Sequence, residues 1–228
     1  MPFSPETIAF LIENRMRNDR TWYHENKPTY QRVVFQPMCE LVERLEPTVL
    51  KIDPMLVTVP KIDATISRIY RDARRVRPGE AFYRENVWCV FRRDKRLYHG
   101  VPALYFEFSP EEWSFGCGYY EAGSETMLAA RELILQRDRT FLAAKRALAK
   151  AEGFVLEGDR FRRTRHPDEP EEMRDWLDRK TFSAVYTSRD FDLLYSDELW
   201  RTIADGYEAI APVYAFFQKA EARKNGLA

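Results

Sequence analysis

Several things are scarce in this 228-residue chain. It has three cysteines, Cys39, Cys89 and Cys117, far apart and without a CxxC, so neither a disulfide framework nor a zinc knuckle is indicated. Its three histidines, His24, His99 and His166, show no HxxxH or HExxH spacing, so a metal site would have to be assembled from distant segments. GxSxG, Walker A and GxGxxG sequences are all missing, which removes the usual serine-hydrolase, P-loop and dinucleotide signatures. No run approaches the 18 or so uncharged apolar residues of a membrane span. An excess of charge is lacking too. Lys and Arg number 36, as do Asp and Glu, which excludes a uniformly basic nucleic-acid coat. The opening residues Met1-Pro2-Phe3-Ser4-Pro5-Glu6 have neither a basic nor an apolar leader region, so a reducing cytoplasm is expected.

What is present is enough for a folded core: 45% of residues are hydrophobic and 14% aromatic. With no repeat, low-complexity tract or linker, residues 1–228 read as one soluble α+β domain. Ser4 with Pro5 reads as a helix start, with Phe3 and Ile8 at staple spacing and Ile8, Leu11 and Ile12 as its apolar stripe. The segment Arg17-Asn18-Asp19-Arg20 breaks that helix. Trp22 and Tyr23 open another turn that Pro28 interrupts or restarts, and Tyr30 to Leu45 keep helical spacing across Pro37.

The period then changes. Val57 to Val59, Ile66 to Asp72, Asn86 to Arg92, Ala103 to Phe108 and Trp113 to Tyr120 read as short strands of a central, mostly antiparallel sheet. Leu104, Phe106 and Phe108 alternate with Tyr105 and Glu107, one face in and one partly wet. Helices follow, one capped by Ser124 with Met127, Leu128, Ile134 and Leu135, and another with Phe141, Leu142 and Leu148. Phe154 to Arg163 reads as a hairpin turning at Glu157-Gly158-Asp159, residues 168–180 as a short acidic helix, and Asp197 to Lys219 as a final helix containing Pro212. Gly116 and Gly118 mark a bulge or a close backbone approach. Cys117 between them is a poor candidate nucleophile.

The balance of charge hides a division. Residues 68–96 carry ten basic side chains against four acidic ones, a net +6, while residues 168–198 carry the reverse, a net −6. Either the two face each other or the basic one meets an anion. Of the basic residues 27 are Arg, whose planar fork suits carboxylates and phosphates. Within Arg68-Ile69-Tyr70-Arg71-Asp72-Ala73-Arg74, strand geometry would put Arg68, Tyr70, Asp72 and Arg74 on one face. Asp72 would then lie between two guanidiniums that hold it ionised, an array suited to binding an anion or to closing on itself as an ion network.

These residues resemble the signature of the DUF2461 proteins, uncharacterised bacterial proteins of about this size with an RxxRDxRF segment, then Asp/Asn-Lys, then Tyr. Arg68, Arg71, Asp72, Arg74 and Tyr83 fall on that pattern in order. Further similarity lies in Asp19 to Tyr23 with Asn26, Lys27 and Tyr30, in Tyr105-Phe106 with Gly116-Cys117-Gly118, and in Lys180-Thr181-Phe182. Three positions depart: Arg75 stands where the pattern has Phe, and Gly79-Glu80 where it has Asp/Asn-Lys, with Arg77 or Arg84 as neighbours able to replace that Lys. The resemblance implies no activity, substrate or cofactor.

Together these readings predict a site for a small anionic ligand, bearing phosphate or carboxylate, formed by Arg68, Arg71, Asp72, Arg74 and Tyr83. Tyr70 supports them, and Trp22, Asn26 and Lys27 are secondary candidates. Asp72 is the candidate catalytic residue, better suited to orienting arginines than to general-base work. No cofactor, metal or membrane is expected. Two alternatives stand beside this reading: a nucleic-acid-associated module, since aromatics interleave with the arginines, and a structural protein whose Arg–Asp cluster is a closed ion network.

Overall fold

Proline placement and one buried threonine set the first fifty residues. In the computed structural model, which describes residues 3–72, 74, 76–77, 79–94 and 100–226, α1 (Pro5–Arg17) is followed by α2 (Arg20–Glu25), α3 (Lys27–Tyr30), a π-helical stretch (Gln31–Phe35) and α4 (Gln36–Ile52). Ala73, Arg75 and His99, named above, and the end of the basic stretch at residues 95–96 lie outside the described residues. Pro37 enters α4 at its first turn and has no N–H to offer the Val33 carbonyl one turn back. The Thr7 hydroxyl donates to that carbonyl instead, at 2.7 Å, while its oxygen accepts the Ser4 N–H at 3.0 Å. A polar residue of α1 is therefore fully buried.

This reorients the helix relative to the stripe read from sequence. The buried face is Thr7, Phe10, Leu11 and Asn14, while Ile12 is exposed. Phe3 packs its ring on Phe106 and Phe108, at 6.1 and 4.5 Å between centroids. Apolar counting missed the face because two of its four members are polar.

The chain is α+β. Five strands, β1 (Val87–Phe91), β2 (Ala103–Phe108), β3 (Trp113–Gly118), β4 (Phe154–Glu157) and β5 (Ser183–Ser188), form an antiparallel sheet in the order β1-β2-β3-β5-β4. The remaining helices are α5 (Ser124–Leu135), α6 (Arg139–Lys150), α7 (Glu171–Leu177), α8 (Phe191–Leu194) and α9 (Leu199–Lys224), so helices stand before the sheet, after its third strand and at the C-terminal end. No helix among the described residues is long and apolar enough to cross a membrane.

Three local expectations are corrected. Val57 to Val59 is not a strand, and Ile66 to Asp72 meets the sequence beyond it through isolated antiparallel bridges, Ile66 with Cys89 and Tyr70 with Tyr83. The register slips by two residues between those bridges, so the edge cannot form a continuous ladder. β4 does not turn back on the segment that follows it. It pairs with β5, Phe154 opposite Tyr186 and Glu157 opposite Ser183. The chain beyond Gly158 prolongs that pairing through Arg160 opposite Arg179, and Gly158, at φ +128°, lets the backbone pass where a Cβ would lie 2.1 Å from the Thr181 carbonyl oxygen.

The described chain forms two contact-dense units: Met1–Phe91 with Tyr105–Phe115 and Thr187–Ala204, and Arg92–Leu104 with Gly116–Tyr186 and Asp205–Ala228. In the first, Trp113 Nε1 donates to the Asp190 carbonyl at 2.9 Å. In the second, Gly116 and Gly118 permit the close approach expected of them, since Cβ atoms there would stand 2.0 Å from the Ala184 oxygen and 2.3 Å from the Ser183 hydroxyl. Phe141, Trp176, Phe182, Phe216 and Phe217 form an aromatic core. Asp138 caps α6 and accepts the Lys219 ammonium at 2.7 Å. Burial acts to raise its pKa, but the Lys219 and Thr140 hydrogen bonds outweigh that and hold it down to about 2.

Thr7→Val keeps the shape and deletes the donor that Pro37 makes necessary. It is expected to lower unfolding free energy by about 1–3 kcal/mol, the cost of an orphaned buried carbonyl, as read by urea denaturation. An unchanged midpoint would refute this account of α1.

Candidate functional site

The central motif lies along an irregular edge. The Ser67 N–H donates to the Trp88 carbonyl, Arg71 N–H to Phe82 at 2.9 Å and Arg84 N–H to Ile69 at 2.8 Å, so residues 67–71 run beside residues 82–88. Alternation holds locally: Ile69 is buried while Arg68 and Tyr70 face outward, Tyr70 being 38% exposed. Opposite, Tyr83, Val87 and Cys89 point inward, with Phe82, Arg84 and Trp88 partly exposed.

The arginines are held by two different carboxylates. Arg68 directs Nε and a terminal nitrogen onto Asp63 Oδ2, with Nε at 2.8 Å. Arg74 clasps Asp72 with both oxygens engaged, Nε on Oδ1 at 3.0 Å and a terminal nitrogen on Oδ2 at 2.8 Å, and its own N–H also donates to Oδ1 at 3.1 Å. These hydrogen bonds raise the pKa of both guanidiniums. Arg68 therefore finds its partner in Asp63 rather than sharing Asp72 with Arg74. Each guanidinium commits two of its five N–H groups to its carboxylate. The Arg74 side chain is 88% exposed.

The N-terminal helices complete the cluster. Asn18 ends α1 in the left-handed conformation, φ 47°, which Asn tolerates better than most residues. In that pose its Oδ1 accepts the Phe82 N–H at 2.7 Å and the Tyr83 N–H at 3.3 Å. An Arg15–Glu85 ion pair lies alongside. Asp19 then caps α2 through the Trp22 N–H, and α2 delivers Tyr23 against Tyr83 at 5.0 Å and Tyr30 at 5.8 Å between ring centroids. Arg20 lies 4.7 Å over Phe82, and Phe82 stacks on Tyr70 at 5.6 Å with 8° between their planes.

The result is a tyrosine–arginine cluster built from two segments some fifty residues apart. Burial, reinforced by Tyr83 and Tyr70, pushes the Tyr23 pKa up to about 12; burial likewise raises Tyr30 and Tyr83. All three hydroxyls stay protonated near neutrality and can donate hydrogen bonds. Among the described residues polar capacity remains unused there: the buried Nε of Arg71 has no hydrogen-bond partner. Neither do both polar atoms of Asn14, a fully buried residue on the same α1 face as Phe10, whose ring meets Trp22 and Tyr30. Arginines 15, 17, 20, 68, 71, 74 and 84 exceed the carboxylates Glu13, Asp19, Asp63, Asp72 and Glu85 by two charges.

Of the residues expected from sequence, Arg68, Arg71, Asp72, Arg74 and Tyr83 lie along this edge. Trp22 contacts Phe10 and is half-buried. Asn26 Nδ2 donates to the Trp22 carbonyl at 2.9 Å, so its amide serves the helix junction, and Lys27 is exposed. Arg77 gives its backbone N–H to Glu80, and the Arg84 guanidinium lies 4.8 Å over Trp88. His24 is exposed on α2. Cys117 is fully buried, and burial raises its thiol pKa far from the thiolate range a nucleophile needs. Asn18 and Arg20 went unnoticed as site residues; the one available signal was Asn at a helix end, a residue fitted to the left-handed turn. Among the described residues no group of three or more His, Cys, Asp or Glu could hold a metal ion.

An α+β protein whose helical N-terminus closes a tyrosine–arginine cluster on an irregular sheet edge is the class this architecture defines. The chain belongs to the DUF2461 family of conserved hypothetical proteins, whose sequence profile matches residues 6–216. No curated protein matches it.

Two outcomes follow from this geometry. Asn18→Gly keeps the left-handed turn but removes the acceptor, and is expected to cost about 1 kcal/mol in urea denaturation. As pH rises from 10 to 12, an unfolded Tyr23 ionises while the folded one holds its proton. Its contribution to stability, complete below pH 10, is therefore lost across that window, and Tyr23→Phe should show a shallower alkaline fall in melting temperature. Identical alkaline slopes would contradict the burial of that hydroxyl.

Proposed function

We propose that this protein binds a small anionic ligand, bearing phosphate or carboxylate, at the tyrosine–arginine cluster. The observation that carries the reading is the company the arginines keep. Arg68 and Arg74 are pre-oriented by Asp63 and Asp72 yet exposed, with donors to spare, and Arg68 stands 6.0 Å from the solvent-open ring of Tyr70. A planar guanidinium held by a carboxylate loses less entropy on meeting an anion than a free one. Asp72 acts in this reading as the residue that positions Arg74. Arg71 and Tyr70 complete the lining.

The closed-network alternative assigns the same pairs a stabilising role. Exposed ion pairs are worth about 0–1 kcal/mol, and with its side chain 88% exposed Arg74 has little to stabilise. The low cysteine content fits residence in a reducing bacterial cytoplasm.

Titration with inorganic phosphate and with citrate, followed by NMR chemical shifts, tests the reading. Binding to the wild-type chain should weaken about tenfold in Arg74→Ala, the loss of one charge-assisted hydrogen-bond donor, with the melting temperature almost unchanged. If Arg68→Ala, Asp72→Ala and Arg74→Ala each lower the melting temperature and neither anion binds the wild type, the cluster is structural.

A further inference from the structure

We infer that the anion taken at this site is the phosphate of a nucleotide unit, free or within a single strand, whose base stacks at the Tyr70–Phe82 pair; the inference rests on the anion-binding reading above. Exposure separates the aromatics at and behind this edge. Tyr30, Tyr83, Phe91, Phe106 and Phe108 are core. Trp22, Tyr70, Phe82 and Trp88 are partly open to solvent, and each has an arginine on its ring: Arg17 at 5.5 Å, Arg68 at 6.0 Å, Arg20 at 4.7 Å and Arg84 at 4.8 Å. A bare phosphate needs the cations alone. Flat rings kept at the surface beside those cations match a ligand that brings a π-face together with its charge, the combination by which single-strand binders hold bases and backbone.

The Tyr70–Phe82 pair is the place to expect the base. Its rings are already parallel, 8° apart, so the platform needs no rearrangement. Arg20 covers Phe82 closely, but Arg68 stands at the outer limit of cation–π reach from Tyr70, in keeping with the exposure of that ring. Arg68 thus belongs to both sets, next to the stacking ring and among the arginines that would meet phosphate. One nucleotide can engage both.

Isothermal titration of the full chain with inorganic phosphate, ribose 5-phosphate and AMP reads this directly. AMP is expected to bind about tenfold tighter than ribose 5-phosphate, the usual gain for one stacked base. Tyr70→Ala should bring AMP down to the affinity that the same variant has for ribose 5-phosphate, and Tyr70→Phe should retain the difference. An oligoadenylate hexamer separates the sources: affinity above that of AMP and falling steeply with salt identifies a strand, and affinity equal to that of AMP a free nucleotide. If AMP and ribose 5-phosphate bind equally, the nucleotide inference fails while the anion reading stands. If none of the three binds, both fail.

Discussion

The cluster depends on one carboxamide. Asn18 Oδ1 accepts two consecutive backbone N–H groups, those of Phe82 and Tyr83, across 64 and 65 residues of sequence. Two things make this possible. The left-handed turn at Asn18 aims its side chain away from the end of α1, and α1 itself is anchored one turn from its start by the Thr7 hydroxyl on the Val33 carbonyl. Without the first contact Tyr23 would lack its place against Tyr83, and without the second Phe10 would lack its place against Tyr30. A helix terminus thus brings together what chain connectivity separates.

Legibility in the sequence followed the range of the interaction. β2 matches the segment with strict alternation, and Leu199, Ile203, Ile210, Val213 and Phe217 on α9 are all buried as their spacing requires. Each of these rests on a signal within a few residues. The failures rest on partners far away. β4 looked like the first half of a hairpin because Glu157-Gly158-Asp159 is good turn chemistry, yet that glycine serves a close crossing with Thr181. In α5 the apolar pair Leu128 and Leu135 is exposed while Ala129 and Ala130 are buried, close contact taking precedence over side-chain hydrophobicity. The candidate site divides in the same way. The central motif was visible as a pattern, but Asn18 and Arg20 acquire meaning only through residue 82.

The opposed charge segments also find a physical account. Five carboxylates of the acidic stretch, Glu169, Glu172, Asp175, Asp197 and Glu198, pair with Arg137, Lys145, Arg160, Arg44 and Arg201, cations drawn from outside residues 68–96. In the basic stretch, Arg68 turns to Asp63 and Arg74 to Asp72. Overall neutrality is therefore reached largely through local pairings, and a local excess of positive charge survives around the cluster.

The departures from the family motif bear on how much of this edge is shared. Gly79 sits at φ +85° with open space around its Cα, in a turn where Glu80 N–H donates to the Arg77 carbonyl and the Glu80 carboxylate accepts the Arg77 N–H. Asp, Asn and Gly are the residues that enter the left-handed region most readily. Glycine in place of Asp/Asn therefore preserves the turn, and Glu80 in place of Lys gives that turn an acceptor for its own backbone. The substitution removes a cation from the loop but leaves the Tyr70–Tyr83 bridge and the arginines beside it in place. What this chain keeps of that pattern is thus the frame that holds rings and guanidiniums together, because the turn at Gly79 and Glu80 satisfies its own backbone without drawing on that frame.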